Sequence, residues 1–306
     1  MMQLKPIIKR DMEIRSRGFL LPVLMTAVNA VLFLVGLLGC FGIVSAMRQN
    51  YTADYHGFLN IYMITVLTQY VLILLIAPLY TLSAISGERE TGTFDLLMTT
   101  RLTPLDIVTE KMASAFVSVT VIIISCLPAM LIPLMYGGVS AQSAVGLLLL
   151  FIPEAFVMLS LGMFASAVSH SIVRSTIVAY GMVLGLAAGT VLLSVLIRPF
   201  WIIGGNRAAY LMTLNPLAPV FSVIMRQVGE PGAVKNLFGM LGLSADTAYL
   251  DHIVLISVVA QLALAFGLLV LAVISITPGQ RIFRFPVRSR KKEKENSAEK
   301  QAGLKE

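Results

Sequence analysis

Six stretches of this chain stay apolar for longer than the roughly 18 residues a helix needs to cross a hydrocarbon layer. They fall at about 19–46, 60–85, 106–134, 144–168, 175–197 and 252–276. Inside lipid a backbone must satisfy its own N–H and C=O groups, and runs of this length can do so only as helices. Composition agrees: of the 306 residues, 57% are hydrophobic and 13% charged, about half the charge of an ordinary soluble domain. The expected fold is all-α, a polytopic transmembrane helical bundle of about six spans. The first run would be roughly 40 Å long at about 1.5 Å per residue, so it must tilt or project beyond the hydrocarbon. It also far exceeds a signal peptide's apolar region of about 7–15 residues and reads as a retained span.

The formal net charge is +7, which on a soluble chain would suggest nucleic acid. Here the excess sits at the two ends, beside the predicted membrane, where it reads orientation and anionic headgroups instead. No nucleic-acid partner is expected. Eighteen of the 23 Lys and Arg fall in segments 1–18, 86–111, 169–174 and the tail from 277. The opposite loops hold the other five, Arg48, Arg198, Arg207, Arg226 and Lys235. The positive-inside rule then makes both termini cytoplasmic.

Several smaller features fill out this plan. Residues 1–18 place Leu4, Ile7, Ile8 and Met12 at helical spacing, with Lys9, Arg10, Glu13 and Arg17 largely on the other side. That pattern predicts an amphipathic interfacial helix, with an ordinary charged flank as the alternative. The basic tail, 277–306, is charged and poor in apolar residues towards its end, and is expected to be disordered. Segment 199–251 is long for a connection and too apolar to float, with Phe200, Trp201, Leu211, Leu214, Phe221, Ile224, Leu237 and Phe238 in need of cover. Its prolines and glycines predict short re-entrant helices on, or dipping into, the outer leaflet.

Enzymatic motifs are missing. There is no G-x-x-x-x-G-K-[ST], so ATP binding by this chain is not expected. Neither H-E-x-x-H, nor a cysteine pair at metal spacing, nor G-x-S-x-G occurs. Cys40 and Cys126 both lie inside apolar runs and promise no disulfide framework. Glu154 stands out, following Pro153 near the middle of the fourth run. A carboxylate at that depth is costly unless paired or protonated. It is either a structural acid, hydrogen-bonded at a proline-loosened turn, or a proton or cation site of an ion-coupled transporter or channel. Asn29, Gln69 and Gln261 are expected to hydrogen-bond between helices.

The charged stretch between the second and third runs carries the most information. Ser86 to Thr100 reads SGERETGTFDLLMTT, with Glu88, Arg89, Glu90 and Asp95 close together. Thr103-Pro104-Leu105-Asp106 predicts the start of the third span: an N-cap threonine, proline at the first helical position and an acid three residues after the cap. Phe94, Leu97 and Met98 would share one face of a short helix between Thr93 and Thr100, with Gly92 freeing the backbone before it. Such a helix could simply lie on the inner leaflet.

The order Glu88-x-Glu90-x-Gly92-Thr93, then Leu96-Leu97, a proline and Lys111 resembles the loop between spans two and three of ATP-binding-cassette type-2 permeases. Asn215-Pro216-Leu217 followed by Arg226 resembles, more loosely, a stretch of that family's outer helices. The resemblance implies a coupling helix at 86–106 that docks on a separate ATPase. Glu88, Arg89, Glu90, Gly92, Thr93, Phe94, Asp95, Leu97 and Met98 would form the coupling surface, with the apolar members as a knob and the charges at its rim. It further implies two permease chains with two cytoplasmic ATPase subunits in a bacterial plasma membrane. ATP and Mg would sit on those subunits, with no cofactor on this chain.

The charge distribution makes a topological prediction. Cysteines introduced at Ser140 and Ser244 should react with an impermeant maleimide added outside the cell, while one at Thr99 should not. Labelling of Thr99→Cys from outside would overturn the orientation.

Overall fold

The computed structural model describes residues 19–50, 55–94, 103–130, 140–197, 207–230, 232–243 and 245–277. Among them there is no strand, and six helices are long and apolar enough to cross a membrane. Span one is Leu20–Asn50 and span two Tyr55–Leu82. A five-residue helix, Ser86–Glu90, follows span two. Span three starts at Pro104 and continues to Met130, and span four is Ala141–Val168. Span five, Ile172–Ile197, contains a π-helical turn at Gly185–Gly189. Span six is Thr247–Ile276. The expected spans are all present, with edges moved by a few residues. The predicted interfacial helix at 1–18 and nearly all of the basic tail lie outside the described residues.

The helix ends follow from local chemistry. At span three Thr103 and Asp106 form a capping box: the threonine hydroxyl accepts from the Asp106 N–H (3.2 Å) and the Asp106 carboxylate accepts from the Thr103 N–H (3.3 Å). Pro104 occupies the first helical position, where a missing N–H costs nothing. Span four opens on Ser140, whose hydroxyl accepts from the Ser143 N–H.

Span four is the axis of the bundle. It packs against spans two, three, five and six, and 61% of its most apolar stretch is buried, against 17% for spans one and five. One close approach is to span two. There Thr81 donates to the carbonyls of Pro78 and, across the interface, of Leu159. Gly162 makes room: a Cβ at that position would collide with Thr81 Oγ1 and lie 2.8 Å from the Pro78 carbonyl oxygen. Spans one and three are joined by Asn29, whose amide donates to Ser125 Oγ (3.1 Å).

At the end of the bundle away from Ser86–Glu90, the segment after span five forms a 3-10 helix, Arg207–Leu214, and two α-helices, Leu217–Gln227 and Ala233–Met240. The first two meet at 93° across Asn215-Pro216, a re-entrant shape that matches the short helices expected there. Ile224 and Phe238 are buried, and Leu211, Leu214 and Phe221 are partly buried; Leu237 remains exposed at 37%. Phe200 and Trp201 lie outside the described residues.

Gly162→Ala should lower stability by about 1–3 kcal/mol, since the obstacle is backbone and cannot swing away. Gly181→Ala, where a Cβ would meet nothing within 4 Å, serves as the control. Thermal unfolding of the purified protein in detergent should show a lower midpoint for the first and no drop for the second.

Candidate functional site

The helix Ser86–Glu90 is fastened to the ends of three spans. Its entry is buried: the N–H groups of Ile85 and Ser86 both donate to Ser166 Oγ of span four, at 2.9 and 3.0 Å. Ser175 of span five donates to the Leu82 carbonyl that ends span two. Each charged residue of the helix then reaches a different neighbour. Glu88 pairs with Lys111 of span three at 2.6 Å, and Lys111 also donates to the Ala84 carbonyl at 2.7 Å. Arg89 donates to the carbonyls of Ala167 (2.6 Å) and Ser169 (3.2 Å), at the end of span four. Glu90 Oε2 accepts from the Ile172 N–H (3.0 Å), the first helical residue of span five.

The signs of these charges suit the helix ends they meet. The carboxyl end of span four carries partial negative charge and receives a guanidinium; the amino end of span five carries partial positive charge and receives a carboxylate. Ser171 makes no side-chain cap at span five, so Glu90 supplies the missing acceptor from another part of the chain. Gly92 adopts φ +74°, and the Thr93 N–H returns to the Glu88 carbonyl at 2.9 Å. This closes the short helix with a left-handed residue that glycine accommodates without strain.

Phe94 differs from the expectation. Its side chain is 9% exposed and belongs to the main core, with the Arg89 guanidinium 4.9 Å from its ring centroid. It is packed within this chain, where a partner-facing knob was expected. Asp95, Leu97 and Met98 lie outside the described residues. Glu88, Arg89 and Glu90 spend most of their bonding on the bundle itself, although Glu88 Oε2 is buried with no hydrogen-bond partner among the described residues.

A second constellation lies inside the bundle. Glu154 is 1% exposed; Tyr70 of span two donates to its Oε2 (3.3 Å) and also to the Pro216 carbonyl at the re-entrant bend. A hydroxyl has one hydrogen, so these two acceptors share it unless Glu154 contributes a proton. Glu154 Oε1 has no partner among the described residues. Asn215, next to Pro216, donates to the Ala187 carbonyl in the π turn (2.9 Å) and to Thr190 Oγ1 (3.0 Å). Its side-chain oxygen accepts from the Leu217 N–H, and its own carbonyl accepts from Gln261 of span six. Asn29 and Gln261 thus do join helices as expected. Gln69 is fully buried, and neither amide atom meets a partner among the described residues.

Sequence reading missed Ser166, Ser175, Tyr70 and Thr190, since a small hydroxyl or a tyrosine in an apolar run has no distinguishing pattern. Their partners are far away in the chain. No group of three or more metal-ligating side chains occurs among the described residues.

A family model described as ABC-2 family transporter protein matches residues 20–283. No curated protein matches the chain.

The geometry ranks three substitutions. Arg89→Ala should cost about 2–3 kcal/mol, because it removes charge-assisted bonds to two carbonyls at the end of span four. Glu88→Gln should cost about 1–2 kcal/mol, its partner Lys111 being 13% exposed and keeping the Ala84 carbonyl. Glu90→Gln, at an exposed position, should cost about 0–1 kcal/mol. Thermal midpoints in detergent would check that order, and an Arg89→Ala midpoint equal to wild type would contradict it.

Proposed function

Because the chain belongs to the ABC-2 family of transporter proteins, we propose that it is the membrane permease subunit of an ATP-driven exporter. A separate ATPase moves it through the loop between spans two and three. The observation that supports this reading is the fastening of Ser86–Glu90. A helix tied by Glu88, Arg89 and Glu90 to spans three, four and five passes any displacement to all of them at once. A loop lying loosely on a membrane would absorb the same push.

Two roles divide along this loop. Glu88 to Phe94 form the inward part, which holds the spans. Leu97 and Met98 would meet the ATPase, with Asp95 at the edge of that contact. Two such chains pair with two ATPase subunits, and ATP and Mg are bound by the ATPase. The ends of the chain lie in the cytoplasm. Glu154 is a structural acid that holds Tyr70 and, through it, the re-entrant bend.

Copurification separates the two roles. Leu97→Ala/Met98→Ala should weaken ATPase association by roughly thirtyfold, the effect of losing about 2 kcal/mol from a central apolar anchor. Phe94→Ala should act on the fold instead, lowering stability by about 3–5 kcal/mol as a buried ring is lost. If Leu97→Ala/Met98→Ala retains the ATPase as wild type does, the coupling assignment fails. Glu154→Gln should leave transport largely intact, since glutamine keeps the size and can donate to Tyr70. Complete loss of transport at normal expression would favour an ion-coupled transporter working through Glu154.

A further inference from the structure

The re-entrant helices roof a cavity of about 380 Å³ between spans two, five and six, next to the Tyr70–Asn215 group described above. We propose that this cavity binds one acyl chain of a membrane phospholipid. The inference does not depend on an ATPase partner, and it adds a lipid site to the transport reading.

The chemistry of the wall specifies an aliphatic occupant. Val191, Phe238 and Ile253 present hydrocarbon. The two polar residues of the lining have their groups engaged elsewhere. Tyr70 turns its hydroxyl to Pro216 and Glu154, and the Asn215 amide is taken up by Ala187, Thr190 and Leu217. A headgroup, a sugar or a peptide would find no donor or acceptor here and would lose its hydration without return. An alkyl chain loses nothing on entry and gains close contact along its length. The volume falls within the roughly 300–1,000 Å³ of small-ligand pockets.

Depth and access point to lipid as the source. Val191 lies six residues before the end of span five and Ile253 six residues after the start of span six, about 9 Å along each helix. That is inside the hydrocarbon half-layer of about 15 Å. The mouth is rimmed by Leu217 and Leu237, 39% and 37% exposed, on the two helices that flank it. Next to the wall residues, Leu192 and Leu196 of span five and Leu255 and Val259 of span six are all strongly exposed. The cavity therefore continues an apolar membrane-facing surface, and a chain from the adjacent leaflet can enter without crossing a polar barrier. Its floor touches Tyr70 and its wall Asn215, so occupancy bears on the residues that hold the re-entrant bend and the π turn.

The test uses the full chain in proteoliposomes containing a phosphatidylcholine with a mid-chain diazirine. After irradiation, adducts are located by mass spectrometry. Adducts on the peptides spanning 212–221 and 234–241, lost in Ala218→Phe because the larger side chain fills the volume, are the expected result. Adducts confined to exposed faces such as those of spans one and five, with none under the re-entrant helices, would overturn the proposal. So would adducts there that Ala218→Phe leaves unchanged, since the lipid would then be lying on the surface. Should Ala218→Phe fail to fold, Phe238→Trp in a Trp201→Phe background gives a second reading. Its fluorescence should be quenched several-fold more by phospholipid brominated at mid-chain than that of Phe151→Trp, placed in the buried core of span four. Equal quenching overturns the site. A disulfide linking two copies through Leu237→Cys, with no lipid adduct, would assign the mouth to a second chain and also overturn it.

Discussion

A helix in hydrocarbon has no water to complete the bonding of its side chains, so each polar group it carries must find a partner on another helix or go without. The architecture is organised around that scarcity. Apolar packing in lipid does little to choose one neighbour over another, because lipid tails are as apolar as leucine. The directional contacts are the polar ones: Thr81 to Leu159, Asn29 to Ser125, Tyr180 to Leu75, Tyr70 to Pro216 and Gln261 to Asn215. Each joins two elements distant in the chain. Together with the close approach at Gly162, they give the bundle one arrangement.

These contacts concentrate at two levels. At the end carrying Ser86–Glu90, charges meet helix termini, and a five-residue helix holds spans three, four and five. Deeper in the bundle, the Tyr70–Pro216–Asn215 group holds spans two, five and six to the re-entrant helices. Span five takes part in both. Its first half is held through Ile172, Ser175 and Tyr180, and its second through Thr190. The π turn at Gly185–Gly189 lies between, with the Ala187 carbonyl taken by Asn215. A relative movement of the two levels would thus be felt by span five at a turn whose backbone already departs from the α-helical pattern.

Much of this was legible in the sequence where the determinants are local. The spans follow from length and hydropathy, and the start of span three from Thr103-Pro104-Leu105-Asp106. The 93° bend at Asn215-Pro216 follows from a proline within an apolar segment. The candidate site was legible only as a set of residues. Glu88, Arg89 and Glu90 were recognisable as a group with a purpose, but their partners Lys111, Ala167, Ser169 and Ile172 lie 23 to 82 residues further along. Phe94 shows the limit most clearly. Helical spacing marked it as one of a few apolar residues in the loop, and nothing in that spacing says that its ring turns into the core of its own chain.

The sequence by itself determined that this chain crosses a membrane as helices, where those helices start and stop, and which loop concentrates charge. Those properties depend on the hydropathy of a continuous segment or on caps three residues apart, so neighbours in the chain suffice to set them. Tertiary structure alone decided that span four is the axis, that Tyr70 faces both Glu154 and Pro216, and that the charges of Ser86–Glu90 close on the termini of spans four and five. The reason is geometric. In a uniformly apolar chain no face of a helix is marked as inner, so the inner face is chosen by the few polar groups and the small residue that can meet across the bundle.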